Sequence, residues 1–196
     1  MIERPLDGMQ VAILATDGVE QSELTEPRKA LEEAGARTVL IAPKIGTIRA
    51  MWHGDRGEEF KVDLTLAAAH PDEFDAVLLP GGALNADKLR MDTQARAFVQ
   101  RMDRDHKPMA VICHAPWLLV SAGLVRGRSL TSYYTIQDDI RNAGGRWEDK
   151  EVVVDGNLVT SRKPDDLPAF NAKIVEEFAE GKHEQSAEKT KEAIQS

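Results

Sequence analysis

The pairing best suited to covalent chemistry in this sequence is its only cysteine followed at once by a histidine, Cys113-His114. A thiolate is a strong nucleophile, and an imidazole exchanges protons near neutral pH. The pair stands between two apolar runs, Met109-Ala-Val-Ile112 before it and Trp117-Leu-Leu-Val120 after Pro116. The first run reads as a short buried strand and the second as the inward face of a helix, with Pro116 in its first turn. A cysteine at such a corner is pushed out of the sheet edge toward helix N–H groups, which favour a thiolate. The placement predicts a nucleophile whose pKa lies well below the ordinary value of about 8.5. The other reading is a buried structural cysteine, among the commonest core residues.

Further chemistry-bearing residues lie upstream. Gly81-Gly82 ends an apolar run, where two glycines let backbone approach a ligand or simply make a turn. Glu20 lies in the loop Thr16-Asp-Gly-Val-Glu-Gln-Ser22, either as a partner for the thiol or as a surface carboxylate beside a helix start. Asp87 stands next to Lys88 and near Arg90, which makes a local salt bridge its plainest role. Trp117 belongs to the core or to an apolar rim of a pocket.

The elements that must position these residues alternate along the chain. Met9–Ala15 is a near-continuous apolar strand, and a helix follows to about Ala34, stopped by Gly35. Pro27 starts that helix near Thr25 or kinks an earlier one. Arg37–Ala42 is the second strand, residues 43–66 hold a small hairpin, and Asp75–Pro80 is a further buried strand. Asp92–Arg104 reads as a helix with Ala95, Phe98, Val99 and Met102 on one face. Gly123 closes the helix that follows Cys113, and Thr135–Ala143 forms a short helix closed by Gly144-Gly145. Residues 151–160 form a hairpin around an Asp-Gly or Gly-Asn turn. Asp165–Glu180 is the last helix, ended by Gly181, with a loosely held charged tail after it. The pattern is that of one α/β domain over residues 1–181, an open parallel sheet with helices on both faces, and a charged tail over 182–196. In such sheets ligands sit at the carboxyl ends of strands, where Glu20, the glycine pair and Cys113 all fall.

Composition narrows the function classes. The chain has 196 residues and a formal net charge of −8, which speaks against nucleic acid or an anionic membrane as partner. The N-terminal residues lack a signal-peptide core, no apolar run approaches a membrane span, and one cysteine forms no internal disulfide. A reducing cytoplasm is the expected compartment. The five histidines show no metal-ligand spacing with one another or with Cys113, so neither metal nor cofactor is expected.

Ile112-Cys113-His114-Ala115-Pro116 after a buried strand, with Leu79-Pro-Gly-Gly82 upstream, resembles the ThiJ/PfpI superfamily. Asp87-Lys-Leu-Arg90, Thr131-Ser-Tyr133, Asp138-Asp-Ile-Arg-Asn-Ala-Gly144, Glu151-Val-Val-Val-Asp155 and Val159-Thr-Ser-Arg162 narrow the resemblance to its PfpI branch. That branch holds intracellular cysteine peptidases and general stress proteins, and the similarity spans residues 9–181. It implies a flavodoxin-like three-layer sandwich of the class I glutamine amidotransferase type. It implies Cys113 as elbow nucleophile, His114 as the histidine after it, and Glu20 as the glutamate that hydrogen-bonds the sulfur. It further implies an oxyanion site at Gly82 and the His114 N–H, with Gly81 and Tyr133 beside the pocket. Asp87 would orient the histidine of a neighbouring subunit. The chain departs from the pattern at Ala115, where the family carries glycine, and at Asp87, where some members carry glutamate.

The implied activity is a cysteine hydrolase, either a peptidase or a glyoxalase or deglycase acting on methylglyoxal adducts. The implied partners are a peptide or small-molecule substrate and copies of itself, as a homodimer and possibly a hexamer. The alternatives are a redox stress protein whose cysteine oxidises to the sulfinic acid, and a holding chaperone.

Overall fold

The computed structural model describes residues 4–195, with side chains to residue 182. Short apolar runs become strands and the amphipathic stretches between them become helices. In chain order, β1 (Gln10–Leu14), α1 (Gln21–Glu33) and β2 (Arg37–Ala42) open the domain, followed by the hairpin β3 (Thr47–Trp52) and β4 (Asp55–Lys61). Then come β5 (Leu64–Thr65), β6 (Ala76–Leu79), α2 (Ala83–Met91), α3 (Thr93–Arg104), β7 (Met109–Ile112) and α4 (Pro116–Ser121). The last third holds β8 (Ser129–Leu130), α5 (Gln137–Asn142), β9 (Arg146–Trp147), β10 (Val152–Asp155), β11 (Leu158–Ser161) and α6 (Leu167–Gln195).

Among the described residues the main sheet has seven strands in the order β10-β11-β7-β6-β1-β2-β5. Every pairing in it is parallel except that of β10 with β11, which the hairpin makes antiparallel. Alternate strand residues supply two separate cores. Val11 and Ile13, Ala76 and Leu78, and Ala110 and Ile112 pack with Leu24 and Leu31 of α1 and with Phe170, Ile174 and Phe178 of α6. Ala12 and Leu14, Val77 and Leu79, and Met109 and Val111 pack with Phe98, Val99 and Met102 of α3 and with Leu118 and Leu119 of α4. The period of two in the strands sends successive side chains into opposite layers, which makes the three-layer α/β fold. No helix among the described residues is long and apolar enough to cross a membrane.

Three element boundaries differ from those the sequence suggests. Helix α1 begins at Gln21 and runs through Pro27. The proline lacks the N–H that would bond the Glu23 carbonyl, but its ring is buried and the packing of Leu24 and Leu31 carries the helix past it. Helix α2 was not expected, because Leu84 and Met91 face outward and blur the apolar spacing. Helix α6 passes straight through Gly181. The tail's side chains lie outside the described residues. Gly181 is a contact glycine, since a Cβ there would come 2.5 Å from Cγ of Pro108, at the foot of β7.

Gly181→Ala therefore sets about 1 kcal/mol of helix propensity against an overpacking cost of about 1–3 kcal/mol. The pyrrolidine ring cannot swing away, so overpacking wins and thermal unfolding should fall by roughly 3 °C. The double substitution with Pro108→Ala removes the obstructing ring atoms and should recover stability relative to additivity. Additive effects in that cycle would show that the contact is not what excludes a side chain.

Candidate active site

At the carboxyl end of β7 the chain turns so sharply that Cys113 adopts φ 64°. A side chain in that region costs about 1–3 kcal/mol, which the surrounding structure must over-determine. Backbone hydrogen bonds do so. The Cys113 N–H donates to the Ser161 carbonyl at 3.0 Å, and the Tyr133 N–H donates to the Cys113 carbonyl at 2.7 Å. Two residues on, Ala115 has φ −59° and ordinary helical geometry, so alanine fits where glycine was the expected residue.

The thiol lies against a buried acid. Glu23, in the first turn of α1, is 0% exposed, and neither of its oxygens makes a hydrogen bond of regular geometry. The polar groups that face it are the Cys113 thiol and the Gly81 N–H. Burial pushes its carboxyl from the ordinary 4.5 up to about 8, over the opposing pull of the thiol contact, and the charge of Glu20 adds to the rise. Glu23 is thus protonated at neutral pH and can donate to sulfur. Burial, and then the Glu23 carboxyl, push the Cys113 thiol up, while the N–H groups of Gly82 and His114 pull it down. The expectation of a thiol below its ordinary value is overturned. Helix α4 has only six residues, and with Cys113 6% exposed the loss of water outweighs the local N–H donors.

The glycine pair makes this contact possible. A Cβ on Gly81 would lie 2.3 Å from Oε2 of Glu23 and 2.5 Å from Cβ of Cys113. Gly82 has φ 91°, and a Cβ there would lie 2.3 Å from the Gly18 carbonyl oxygen. Asn85, fully buried, pins the turn by donating to the carbonyls of Pro80 and Gly81, both at 3.0 Å, and accepting from the Thr16 N–H at 2.8 Å. It thereby ties the loop after β1 to the loop after β6, at the sheet edge where β7, β6 and β1 lie side by side.

His114 completes the cluster. Its Nδ1 lies 3.2 Å from Sγ of Cys113, and its Nε2 lies 3.2 Å from Oγ1 of Thr135. The Tyr133 ring stacks on the imidazole at 4.7 Å and 28°, and the Trp117 ring stands 5.6 Å away. Burial lowers the imidazole pKa, which keeps the ring neutral at pH 7.

Of the residues singled out in the sequence, Cys113, His114, Gly81, Gly82, Tyr133 and Trp117 come together. Glu20 does not reach the sulfur. Its carboxylate accepts the His53 N–H at 3.3 Å and the Ser22 hydroxyl at 3.5 Å, and Glu23 takes the place beside the thiol. The physical reason is the early start of α1, which turns Glu23 toward the sheet and leaves Glu20 at the helix N-cap. Glu23, Pro27 and Leu31 recur at every fourth position and are all buried, a stripe that could have identified the acid. Asp87 lies on the exposed side of α2 and, among the described residues, makes no hydrogen bond or ion pair with His114, Lys88 or Arg90. Lys88 donates instead to the Asp17 carbonyl, and Arg90 bonds Ser121 and lies 5.1 Å over the Trp117 ring. Asn85 and Thr135 had no sequence signal of their own.

Glu23 holds its proton in the fold up to about pH 8 but gives it up near 4.5 in the unfolded chain. Between these values the fold binds the extra proton, so stability is greatest below pH 4.5 as far as this group is concerned and is lost as pH rises to 8, by an amount on the order of 5 kcal/mol. Chemical denaturation from pH 5 to 8 should show this decline in the wild type and a flatter profile in Glu23→Gln. Parallel profiles would refute the buried neutral acid.

The model of the DJ-1/PfpI family matches residues 9–177. The chain is 44% identical over 167 residues to deglycase TK1284 of Thermococcus kodakarensis, covering 85% of this chain and 98% of that protein. It is 42% identical over 167 residues to deglycase PfpI of Pyrococcus furiosus, with the same coverage of both chains. The crystal structure of Drosophila melanogaster DJ-1beta superposes with a TM-score of 0.80 at 29% identity, covering 87% of this chain and 90% of that one. The parallel sheet with its two helical layers, the matched length and the identities agree, and this chain belongs to the DJ-1/PfpI family.

Proposed function

We propose that the protein is a cysteine-dependent hydrolase-like enzyme that removes methylglyoxal-derived adducts from amines and thiols, as part of a cytoplasmic stress response. The observation that carries this reading is the 3.2 Å contact of Cys113 Sγ with His114 Nδ1, beneath the N–H groups of Gly82 and His114. The sulfur gives its proton to Nδ1 and adds to a carbonyl carbon of the adduct. The carbonyl electron pair moves to oxygen, where the same two N–H groups can hold it. At the neighbouring carbinol carbon the bond to the amine or thiol breaks: the leaving group takes the imidazolium proton, the carbinol O–H electrons close a new C=O, and the freed proton returns to the imidazole. The oxyanion then re-forms the ketone and expels the sulfur, which takes back that proton, and the methylglyoxal leaves as its hydrate with one water added. Relatives named deglycases, at 44% and 42% identity, support this substrate class.

A second reading has its own support. Cys113 is the only cysteine, so no intramolecular disulfide can resolve a sulfenic acid. A protonated Glu23 and the two N–H groups would suit a sulfinate. One experiment separates the readings. Methylglyoxal-treated N-acetyl-lysine and N-acetylcysteine are incubated with wild type and Cys113→Ser, with free methylglyoxal assayed in parallel. Intact mass is measured after dilute peroxide. Adduct turnover lost at least a hundredfold in Cys113→Ser supports the hydrolase. No turnover, together with a gain of two oxygens on Cys113, supports the redox protein.

Self-association is part of the proposal, with Asp87 on the open face of α2 serving a neighbouring copy. Apolar Leu84 and Met91 are 57% and 71% exposed on the same helix, which suits burial against a second chain. Light scattering at micromolar concentration should give at least twice the 21.6 kDa chain mass, and a monomer mass would remove Asp87 from the site.

A further inference from the structure

We propose that Thr135 is the positioning residue of the site, its hydroxyl accepting the Nε2–H of His114 so that the Nδ1 lone pair faces the Cys113 thiol. This rests on the hydrolase reading for its use, although the chemistry it predicts at the thiol can be measured without turnover. The two contacts of the imidazole, to Sγ on one side and to Oγ1 on the other, are both 3.2 Å. The ring stacks on Tyr133, with Trp117 nearby, so the orientation of its two nitrogens is held.

A neutral imidazole has one donor and one acceptor nitrogen. If Nδ1 carried the hydrogen, it would donate to sulfur and could not take the thiol proton. With Nε2 carrying it, the S–H bond breaks, an Nδ1–H bond forms, the sulfur keeps the electron pair, and Nε2–H donates to Thr135 before and after. Thr135 is exposed, so its own hydroxyl hydrogen is free to face water. The titratable groups that face the ring are Cys113 and Tyr133, with Glu23 beyond the thiol. Among the described residues of this chain no carboxylate is in ion-pair contact with His114, and the hydroxyl of Thr135 is the partner its Nε2 meets.

The test compares wild type, Thr135→Val and Thr135→Ser. The first substitution keeps the shape and removes the hydroxyl, and the second restores it. Because the side chain is exposed, all three should melt alike. The rate of Cys113 alkylation by iodoacetamide is followed from pH 5 to 10, and the 15N shifts of the His114 ring report its tautomer. In Thr135→Val the rate at pH 7 should fall about tenfold, on the scale of one lost hydrogen bond, and the ring should shift toward the Nδ1–H form. Thr135→Ser should recover both. A valine variant with the wild-type profile and unchanged ring shifts would overturn the assignment, as would a serine variant as slow as valine. A wild type that alkylates as described but turns over no adduct would count against the hydrolase reading alone.

Discussion

The site depends on a carboxyl group that the fold buries completely and to which, among the described residues, it gives no cation. Ionising such a group far from water is prohibitively costly unless it is paired, so Glu23 keeps its proton. That single constraint dictates the residues around it. Gly81 has no side chain because Oε2 of Glu23 and Cβ of Cys113 already occupy the space. Gly82 adopts a backbone conformation that brings its N–H to the sulfur, with the Gly18 carbonyl where a Cβ would go. The acid is therefore presented to the thiol as a donor, and the glycines are what allow the approach.

The strained elbow is held by connections that reach across the sheet edge. Cys113 is bonded through its N–H to the end of β11 and through its carbonyl to Tyr133. Asn85 uses both ends of its amide to join the loops after β1 and β6, so a buried polar side chain is satisfied and two loops are fixed at once. At the opposite end of β7, the close approach of Gly181 to Pro108 seats α6 over the same strand. The nucleophile strand is thereby gripped at both ends, which is what a residue at φ 64° requires.

Most of this fold was legible because parallel strands buried on both faces read as continuous apolar runs. Arg37–Ala42 and Met109–Ile112 have the boundaries that the runs suggest, and the hairpin of β10 and β11 follows its Gly-Asn turn. The elbow cysteine was legible for the same reason, as a break between two such runs. What stayed hidden depends on rotation about a helix axis. The resemblance pointed to Glu20, and seeing Glu23 instead required knowing where α1 starts, which Pro27 left open between a start near Thr25 and a kinked earlier helix. Gly181 looked like a terminator because its reason is a contact with Pro108, far away in sequence. Thr135 carries no periodic or motif signal, since its role comes only from meeting the ring of His114 in space.

The three neutral groups also decide what kind of charge the site can accept. Burial raises Glu23 and Cys113 and lowers His114, each toward its uncharged form. A lone thiolate would be as costly here as a lone carboxylate. A thiolate formed by passing its proton to an imidazole nitrogen 3.2 Å away is different, because charge is separated without any net charge being buried. The attraction of such a pair is stronger in a water-poor site than in bulk solvent. The protonated Glu23 and the Gly82 and His114 N–H groups then stand as donors around the sulfur. Burial thus disfavours the separated pair less than either ion alone, and these donors offset part of the remaining desolvation cost at the moment a substrate takes up the electron pair.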